Sequence, residues 1–214
     1  MDAERRVALE DTRARASRLV IAWPSVGFSA PDKMPLYALA AILSGDKYGF
    51  GAYGRLSKTL IEDRQLATAV HVELYDAERI GDFIVNVTPR SGASLTTIEQ
   101  VVDSVIADLK ARPVSDPELR AFRNLNSVSG ITSLQSRSAR ADTLAQGQVW
   151  ANDPAAYARQ IEEGQSVSAA DVRRVAQRYL VTARLTLSLV PAGALDQISK
   201  PSLPFTNATP VPGR

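Results

Sequence analysis

The clearest structural signal in the chain is the stretch Val167-Ser-Ala-Ala-Asp-Val-Arg-Arg-Val-Ala-Gln-Arg-Tyr-Leu180, which is followed by Arg184-Leu-Thr-Leu-Ser-Leu-Val-Pro191. Ser168 is a favourable N-cap, and the carboxylate of Asp171 suits the exposed N–H groups of a first helical turn. The apolar residues that share one helical face are Val172, Val175, Ala176 and Tyr179. The stretch therefore predicts a capped amphipathic helix that leads directly into a buried strand.

Upstream of this stretch, apolar patterns and turn residues predict an alternation of strands and helices. Strands are predicted at residues 18–24, 67–75 and 82–89. The last two would form an antiparallel hairpin that turns at Gly81. Helices are predicted at residues 31–44, 55–64, 94–111, 115–132, 138–151 and 154–163. A mostly antiparallel sheet with several helices packed on one face is an α+β fold.

The folded domain is predicted to span residues 17–191. Residues 1–16 alternate acids with arginines and hold few apolar anchors, so we expect an extended lead-in or a short exposed strand. Residues 192–214 hold four prolines and little apolar periodicity. That composition predicts a tail or linker rather than a core element.

Composition excludes several classes of function. The net charge is only +2, from 25 basic and 23 acidic residues, so no nucleic-acid partner is predicted. The absence of cysteine excludes disulfides and thiol catalysis. No apolar run approaches the roughly 20 residues that span a bilayer, so no transmembrane segment is predicted. The charged start Met1-Asp-Ala-Glu-Arg-Arg6 is not expected to be a signal peptide.

The sequence holds few residues that could form a metal site or a catalytic triad. His71 is the single histidine, and a zinc site takes three or four histidine, cysteine or carboxylate ligands. Neither H-x-x-E-H nor H-E-x-x-H occurs, and no serine lies in a G-x-S-x-G elbow that His71 could serve. The glycine-rich stretch 45–54 lacks a phosphate-binding motif. It is therefore predicted to connect two helices. A functional role as a hinge, or as a surface that a peptide can approach closely, stays open.

Six segments resemble, in order, motifs of the pitrilysin/insulinase-type zinc metallopeptidases, and together they span roughly residues 18–191. They are Ala41-Ile-Leu-Ser-Gly45, Gly54-Arg-Leu-Ser-Lys-Thr-Leu60, Asp63-Arg-Gln-Leu-Ala-Thr-Ala-Val70, Gly81-Asp-Phe-Ile-Val85, Ser115-Asp-Pro-Glu-Leu-Arg-Ala121 and the Val167–Leu180 helix. In that family two homologous α+β domains close around a peptide like a clamshell. One of them binds zinc through H-x-x-E-H and a distant glutamate.

The chain resembles the metal-free, C-terminal half, because its helix at 31–45 carries no histidine. The resemblance implies the non-catalytic half of a zinc metalloendopeptidase, which forms the substrate-enclosing wall. Its implied partners are a zinc-bearing homologous domain or subunit and a peptide substrate. No cofactor is expected in this chain, since the zinc would belong to the partner half. By analogy with exported relatives, the resemblance favours the periplasm.

Many metal-free halves contribute an arginine and a tyrosine, seven residues apart, to the substrate site. This chain has Ile61 and Thr68 at those positions. The resemblance therefore implies no catalytic residue and no metal ligand here. It leaves Arg55, Arg64 and Thr68 as candidates for substrate binding, with Arg55 read as structural or chamber-lining.

Two other functions stay open at this point. Related domains serve as structural or assembly subunits of larger complexes, and loss of the arginine–tyrosine pair fits that alternative as well. A free-standing peptide-binding protein is the third possibility, and it rests only on the predicted chamber wall.

Overall fold

The structure is a computed structural model that describes residues 3–45 and 54–208. The strands are β1 (Arg5–Asp11), β2 (Arg18–Pro24), β3 (Ala67–Tyr75), β4 (Asp82–Pro89), β5 (Leu185–Pro191) and β6 (Thr206–Ala208). The helices are α1 (Lys33–Ser44), α2 (Arg55–Ser57), which continues as a π-helix (Lys58–Asp63), α3 (Leu95–Ala111), α4 (Asp116–Ser133), α5 (Arg137–Ala151), α6 (Ala156–Ser166) and α7 (Ala169–Tyr179). A short 3-10 helix (Leu195–Gln197) precedes β6.

The strands form one mixed sheet in the order β3-β4-β2-β5-β1-β6. The pairings of β3 with β4, β4 with β2, and β2 with β5 are antiparallel, whereas β1 runs parallel to both β5 and β6. The predicted antiparallel hairpin of β3 and β4 is confirmed. The predicted α+β class with a mostly antiparallel sheet is confirmed as well.

The helices form a layer on one face of the sheet. Helix α1 packs on β3, α3 packs on β2, and α7 packs against both helices. Along β2 every second residue is buried beneath this layer, namely Leu19, Ile21 and Trp23. From α1, Leu36 and Leu39 are fully buried against the same core. The core therefore lies between the sheet and α1, α3 and α7.

The two helix starts with the strongest sequence signals have the predicted caps. Ser168 Oγ accepts a hydrogen bond from the Asp171 N–H at 3.2 Å, and the Asp171 carboxylate accepts one from the Ser168 N–H at 3.1 Å. Ser115 and Glu118 form the same reciprocal capping box at the start of α4. Val172 of α7 is fully buried, as its apolar spacing predicts.

A close approach joins the end of α1 to the start of α2. Gly45 ends α1 with a φ of 80°, in the left-handed region that favours glycine. A Cβ atom on Gly54 would lie 2.3 Å from the backbone nitrogen of Gly45, so only glycine fits there. The Ser57 hydroxyl donates to the Ser44 carbonyl across this junction. Residues 46–53, most of the predicted glycine-rich stretch, lie outside the described residues.

Both flanking segments contribute strands to the sheet, the first as the short strand that was one of its two expected forms, although it is partly buried rather than exposed. Strand β1 pairs with β5 along its whole length, and Arg6 and Ala8 are buried, so residues 5–11 belong to the sheet. After β5, Ile198 and Ser199 are buried and β6 extends the sheet beside β1. The prediction that residues 192–214 form a tail or linker is therefore wrong for residues 192–208. It failed because polar side chains provide much of the anchoring of both flanks, beside isolated apolar residues such as Ala8 and Ile198, and apolar periodicity does not reveal them.

The anchor is a buried carboxylate, Glu99 of α3, which is 0% exposed. Arg6 donates to it at 2.6 and 3.1 Å, Arg184 at 2.8 Å and Lys200 at 2.7 Å, while the Ser199 hydroxyl donates to its second oxygen. Burial alone would raise the pKa of Glu99, but hydrogen bonds from Arg6, Lys200 and Ser199 outweigh burial and lower that pKa to about 2.

Replacement of this carboxylate is expected to destabilise the fold strongly. Glu99→Gln would leave three cations clustered around a neutral amide, two of them from buried arginines. We expect the free energy of unfolding to fall by about 3–5 kcal/mol in urea titrations. The matched control is Glu78→Gln, at a side chain that is 57% exposed, with a change within about 0.5 kcal/mol. Equal effects in the two variants would contradict the anchoring role.

The same carboxylates predict acid sensitivity. The folded pKa values of Glu99 and Glu118 are lowered from 4.5 to about 2, so their stabilising contributions are complete above pH 4.5. These contributions are lost as pH falls through the window from 4.5 to 2. Urea titrations across this window should show falling stability in the wild type. The slope should be shallower in Glu99→Gln, and an unchanged slope would contradict the assignment of Glu99.

Candidate functional site

Strand β3 is an outer strand of the sheet, and β4 is its neighbour on one side. The other side of an edge strand presents backbone N–H and C=O groups that can pair with an extended peptide. The π-helix Lys58–Asp63 leads into this strand. Short π-helical segments frequently occur at functional sites. This edge and the π-helix are the candidate site.

The middle of the β3 edge already has a partner. The Val72 N–H donates to the hydroxyl of Ser44 at 3.2 Å, and Ser44 is fully buried at the end of α1. Backbone groups of alternate residues face the same side of an antiparallel strand, so Val70 and Leu74 face this edge too. An incoming peptide would have to displace the Ser44 hydroxyl or pair toward an end of β3.

A bulge lies at the beginning of β3. Ala67 pairs with Pro89 and Ala69 with Thr88, which leaves Thr68 as the extra residue. Thr68 is exposed, and its hydroxyl donates to the Thr88 carbonyl at 3.3 Å. The bulge therefore turns the Thr68 side chain out of the regular ladder, at the end of β3 nearest the π-helix.

Arg64 lies at the same corner of the molecule. It ends the π-helix, its N–H donates to the Thr59 carbonyl at 3.0 Å, and its side chain is exposed. Gln65 follows with a φ of 51°, a left-handed conformation that redirects the chain into β3. Arg90 reaches this corner from β4, where its Nε donates to the Ala67 carbonyl at 3.5 Å. No local sequence pattern marks Arg90 for this corner, because its proximity arises from the pairing of β3 with β4.

Arg55 lies elsewhere, in an ion pair between α2 and α4. Its guanidinium donates to both carboxylate oxygens of Glu118, at 2.7 and 3.0 Å, and Asp108 lies 3.8 Å away. The hydrogen bond with Glu118 raises the pKa of Arg55. Burial would raise the pKa of Glu118, but Arg55 and the Ser115 cap lower it to about 2. Arg64 and Thr68 thus lie at the entry to β3 with exposed side chains, whereas the Arg55 side chain is held by Glu118 of α4.

The two positions of the arginine–tyrosine pair have different surroundings. Ile61 lies in the π-helix and packs against the core, whereas Thr68 is exposed at the bulge.

On the sheet face opposite the helices, His71 is exposed near Glu73 and Tyr75. A hydrogen bond with Glu73 raises the pKa of the Tyr75 hydroxyl.

Over residues 3–45 and 54–208, no group of three histidine, cysteine, aspartate or glutamate side chains could hold a metal ion. The helices in these ranges include none that is long and apolar enough to cross a membrane.

The ion pair of Arg55 should be measurable as a stability contribution. Arg55→Met is expected to lower the free energy of unfolding by about 1–2 kcal/mol, because Glu118 loses a bidentate, partly buried partner. Arg64→Met, at an exposed arginine nine residues away, is the control and should stay within about 0.5 kcal/mol. A double-mutant cycle with Glu118→Gln isolates the coupling, and zero coupling would show that the pair is not stabilising.

Comparison with known proteins identifies the family. A sequence model described as the Peptidase M16 inactive domain matches residues 2–126. No curated protein sequence matches the chain. The chain is similar in structure to a protease from Helicobacter pylori, with a TM-score of 0.79 and 18% identity over 89% of this chain and 45% of that one. It therefore spans less than half the length of that protease.

Two further solved structures are similar. The inactive peptidase domain of a proposed zinc protease from Bordetella parapertussis has a TM-score of 0.72 and 22% identity, over 85% of this chain and 96% of that one. The periplasmic protease PqqL from Escherichia coli has a TM-score of 0.68 and 16% identity, over 89% of this chain and 21% of that one. At these identities the structures show a shared fold, while the sequence match covers more than half of the chain. The chain belongs to the family of M16 peptidase inactive domains, the metal-free domains of pitrilysin-type zinc proteases.

Proposed function

We propose that this chain is the non-catalytic half of a zinc metalloendopeptidase, whose partner domain or subunit carries the zinc. The observation that carries the proposal is the match to the inactive domain of the family over residues 2–126. In this role the chain forms one wall of a chamber that encloses the peptide substrate. It also keeps the zinc-bearing half correctly positioned against that substrate.

The residues of the chain do not fit a catalytic zinc site of their own. Helix α1 holds no histidine, and His71 is exposed on β3, while the described residues offer no group of three ligands. Zinc-activated water would therefore belong to the partner half. What this chain contributes is enclosure and orientation of the peptide, which lower the entropic cost of the reaction.

The β3 edge is the surface that we propose for the peptide. Its backbone groups can bind an extended chain through main-chain hydrogen bonds without regard to sequence. Arg64 and Thr68 lie at the bulged end of this edge and are both exposed, so they are the proposed side-chain contacts. A guanidinium and a hydroxyl suit peptide carbonyl or carboxylate oxygens. Arg55 is proposed to support the wall through Glu118 rather than to bind the peptide.

Location in the periplasm is part of the proposal. It is supported by the likeness to PqqL, which is a periplasmic protease.

The proposal is tested by a peptidase assay on the chain alone and after it is mixed with a zinc-bearing M16 half, with zinc quantified in both samples. We expect activity only in the mixture. Stoichiometric zinc together with cleavage by the pure chain would refute the proposal. A stable complex without activity would favour the alternative, a structural or assembly subunit built on the same fold.

The same mixture tests the peptide contacts. Arg64→Ala and Thr68→Ala are each expected to raise KM by about 3- to 30-fold with little change in kcat, since removal of uniform binding acts on KM. Arg79→Ala is the matched control, because Arg79 is 88% exposed at the opposite end of the β3–β4 hairpin. Equal KM values in all three variants would exclude this end of β3 from the substrate site.

A further inference from the structure

A cavity of about 310 Å³ lies within the helix layer, among α1, α4, α5 and α6. Its lining includes Phe28, which precedes α1, and Asp76, which directly follows β3. The cavity therefore lies toward the end of β3 opposite the bulge, and neither Arg64 nor Thr68 lines it. Small-molecule sites range over roughly 300–1,000 Å³, so this volume suits a small ligand.

The charged side chains of the lining neutralise each other. They are Lys33 and Asp76, and the Lys33 Nζ atom lies 2.8 Å from Asp76 Oδ2. The same ammonium donates to Gln160 Oε1 at 3.1 Å and lies 3.8 Å from the centre of the Phe28 ring. The Lys33 side chain is 7% exposed, so its charge is engaged within the protein. A charged ligand would find no free counter-ion in this lining, which favours a neutral ligand.

The amide of Asn126 on α4 points to a ligand with hydrogen-bond donors. Asn126 is 6% exposed, and its Nδ2 donates to the Ile161 carbonyl of α6 at 2.9 Å. A Cβ atom on Gly164 would lie 2.2 Å from this Nδ2, so glycine is what lets the amide approach α6 so closely. Asn126 Oδ1 accepts no hydrogen bond from the described residues. A buried carbonyl oxygen without a donor costs free energy, and a ligand in the cavity can supply that donor.

Neutral polar groups surround this oxygen. Within the part of the chain that the structure describes, the side chains of Ser129, Gln146 and Tyr157 line the cavity and make no hydrogen bond. A hydroxyl group or a side-chain amide can both donate and accept. Met34 and Tyr37 add apolar surface to the lining, and the exposed Gln146 opens the cavity to solvent. The lining thus suits a neutral ligand that carries several hydroxyl groups on an apolar frame.

We infer that this cavity binds a neutral monosaccharide, which donates a hydroxyl hydrogen to Asn126 Oδ1. The other sugar hydroxyls exchange hydrogen bonds with Ser129, Gln146 and Tyr157, since each hydroxyl both donates and accepts. The C–H groups of the sugar ring pack on the apolar part of the lining. This site concerns the chain itself and does not depend on the proposed function.

The test is a titration of the ¹⁵N-labelled full chain with glucose and with N-acetylglucosamine, followed by two-dimensional NMR. For a ligand of this size we expect a Kd on the order of 1 mM. The side-chain amide signals of Asn126 and Gln146 should shift. Glucosamine, glucuronate and cyclohexanol should each bind at least about tenfold more weakly. The first two bury an unpaired charge, and the third leaves polar groups of the lining unpaired.

Variants assign the binding to the lining. Gln146→Ala and Tyr157→Phe are each expected to raise the Kd by about 3- to 10-fold, since each removes one hydrogen bond. Asn126→Ala should raise it by at least about tenfold, with urea unfolding as the check that this variant folds. The matched control is Gln148→Ala, at an exposed glutamine of the same helix outside the lining, and it should bind like the wild type. If Asn126→Ala fails to fold, the variants at Gln146 and Tyr157 carry the test.

Four results would overturn the inference. The first is no shift with either neutral sugar up to about 20 mM, well above the expected Kd. The second is equal or tighter binding of a charged sugar or of cyclohexanol. The third is an unchanged Kd in both Gln146→Ala and Tyr157→Phe. The fourth is a set of shifts confined to residues outside the cavity, such as those of the β3 edge.

Discussion

The buried carboxylate of Glu99 is the interaction on which the rest of the structure depends. Removing this carboxylate from water costs free energy, and ion pairs with Arg6, Arg184 and Lys200 offset that cost. These cations come from β1, from the residue before β5, and from the segment after β5. One ionic cluster thus connects both ends of the described chain to α3, and it fixes β1 beside β5, which makes the β5-β1-β6 end of the sheet parallel.

The polarity of β5 follows from the same cluster. Thr186 and Ser188 point toward the charged groups, where their hydroxyls bond to Glu4 and to the Ser199 N–H. Because successive residues of a strand face opposite sides, the leucines between them must face away from the helices. The ionic anchor on one side of the sheet and the apolar face on the other are two consequences of one strand register.

The candidate site depends on junctions between elements rather than on any single element. Ser44 reaches the β3 edge because α1 ends at Gly45 and α2 begins against it at Gly54. Thr68 is exposed because the β3–β4 ladder holds a bulge there. Arg90 arrives from the partner strand of the hairpin. Under the proposed function, these junctions determine which groups a peptide could meet at the β3 edge.

The sequence by itself determined the elements whose signals are local. Apolar periodicity and caps such as Ser168 with Asp171 act within a few residues, so β2 to β5 and the long helices were predictable, as was the α+β class. Only the tertiary structure decided the places of β1 and β6, the pairing of Arg55 with Glu118, and the bulge at Thr68. Those outcomes depend on contacts between residues far apart in sequence, such as Arg6 and Glu99, which no local pattern encodes.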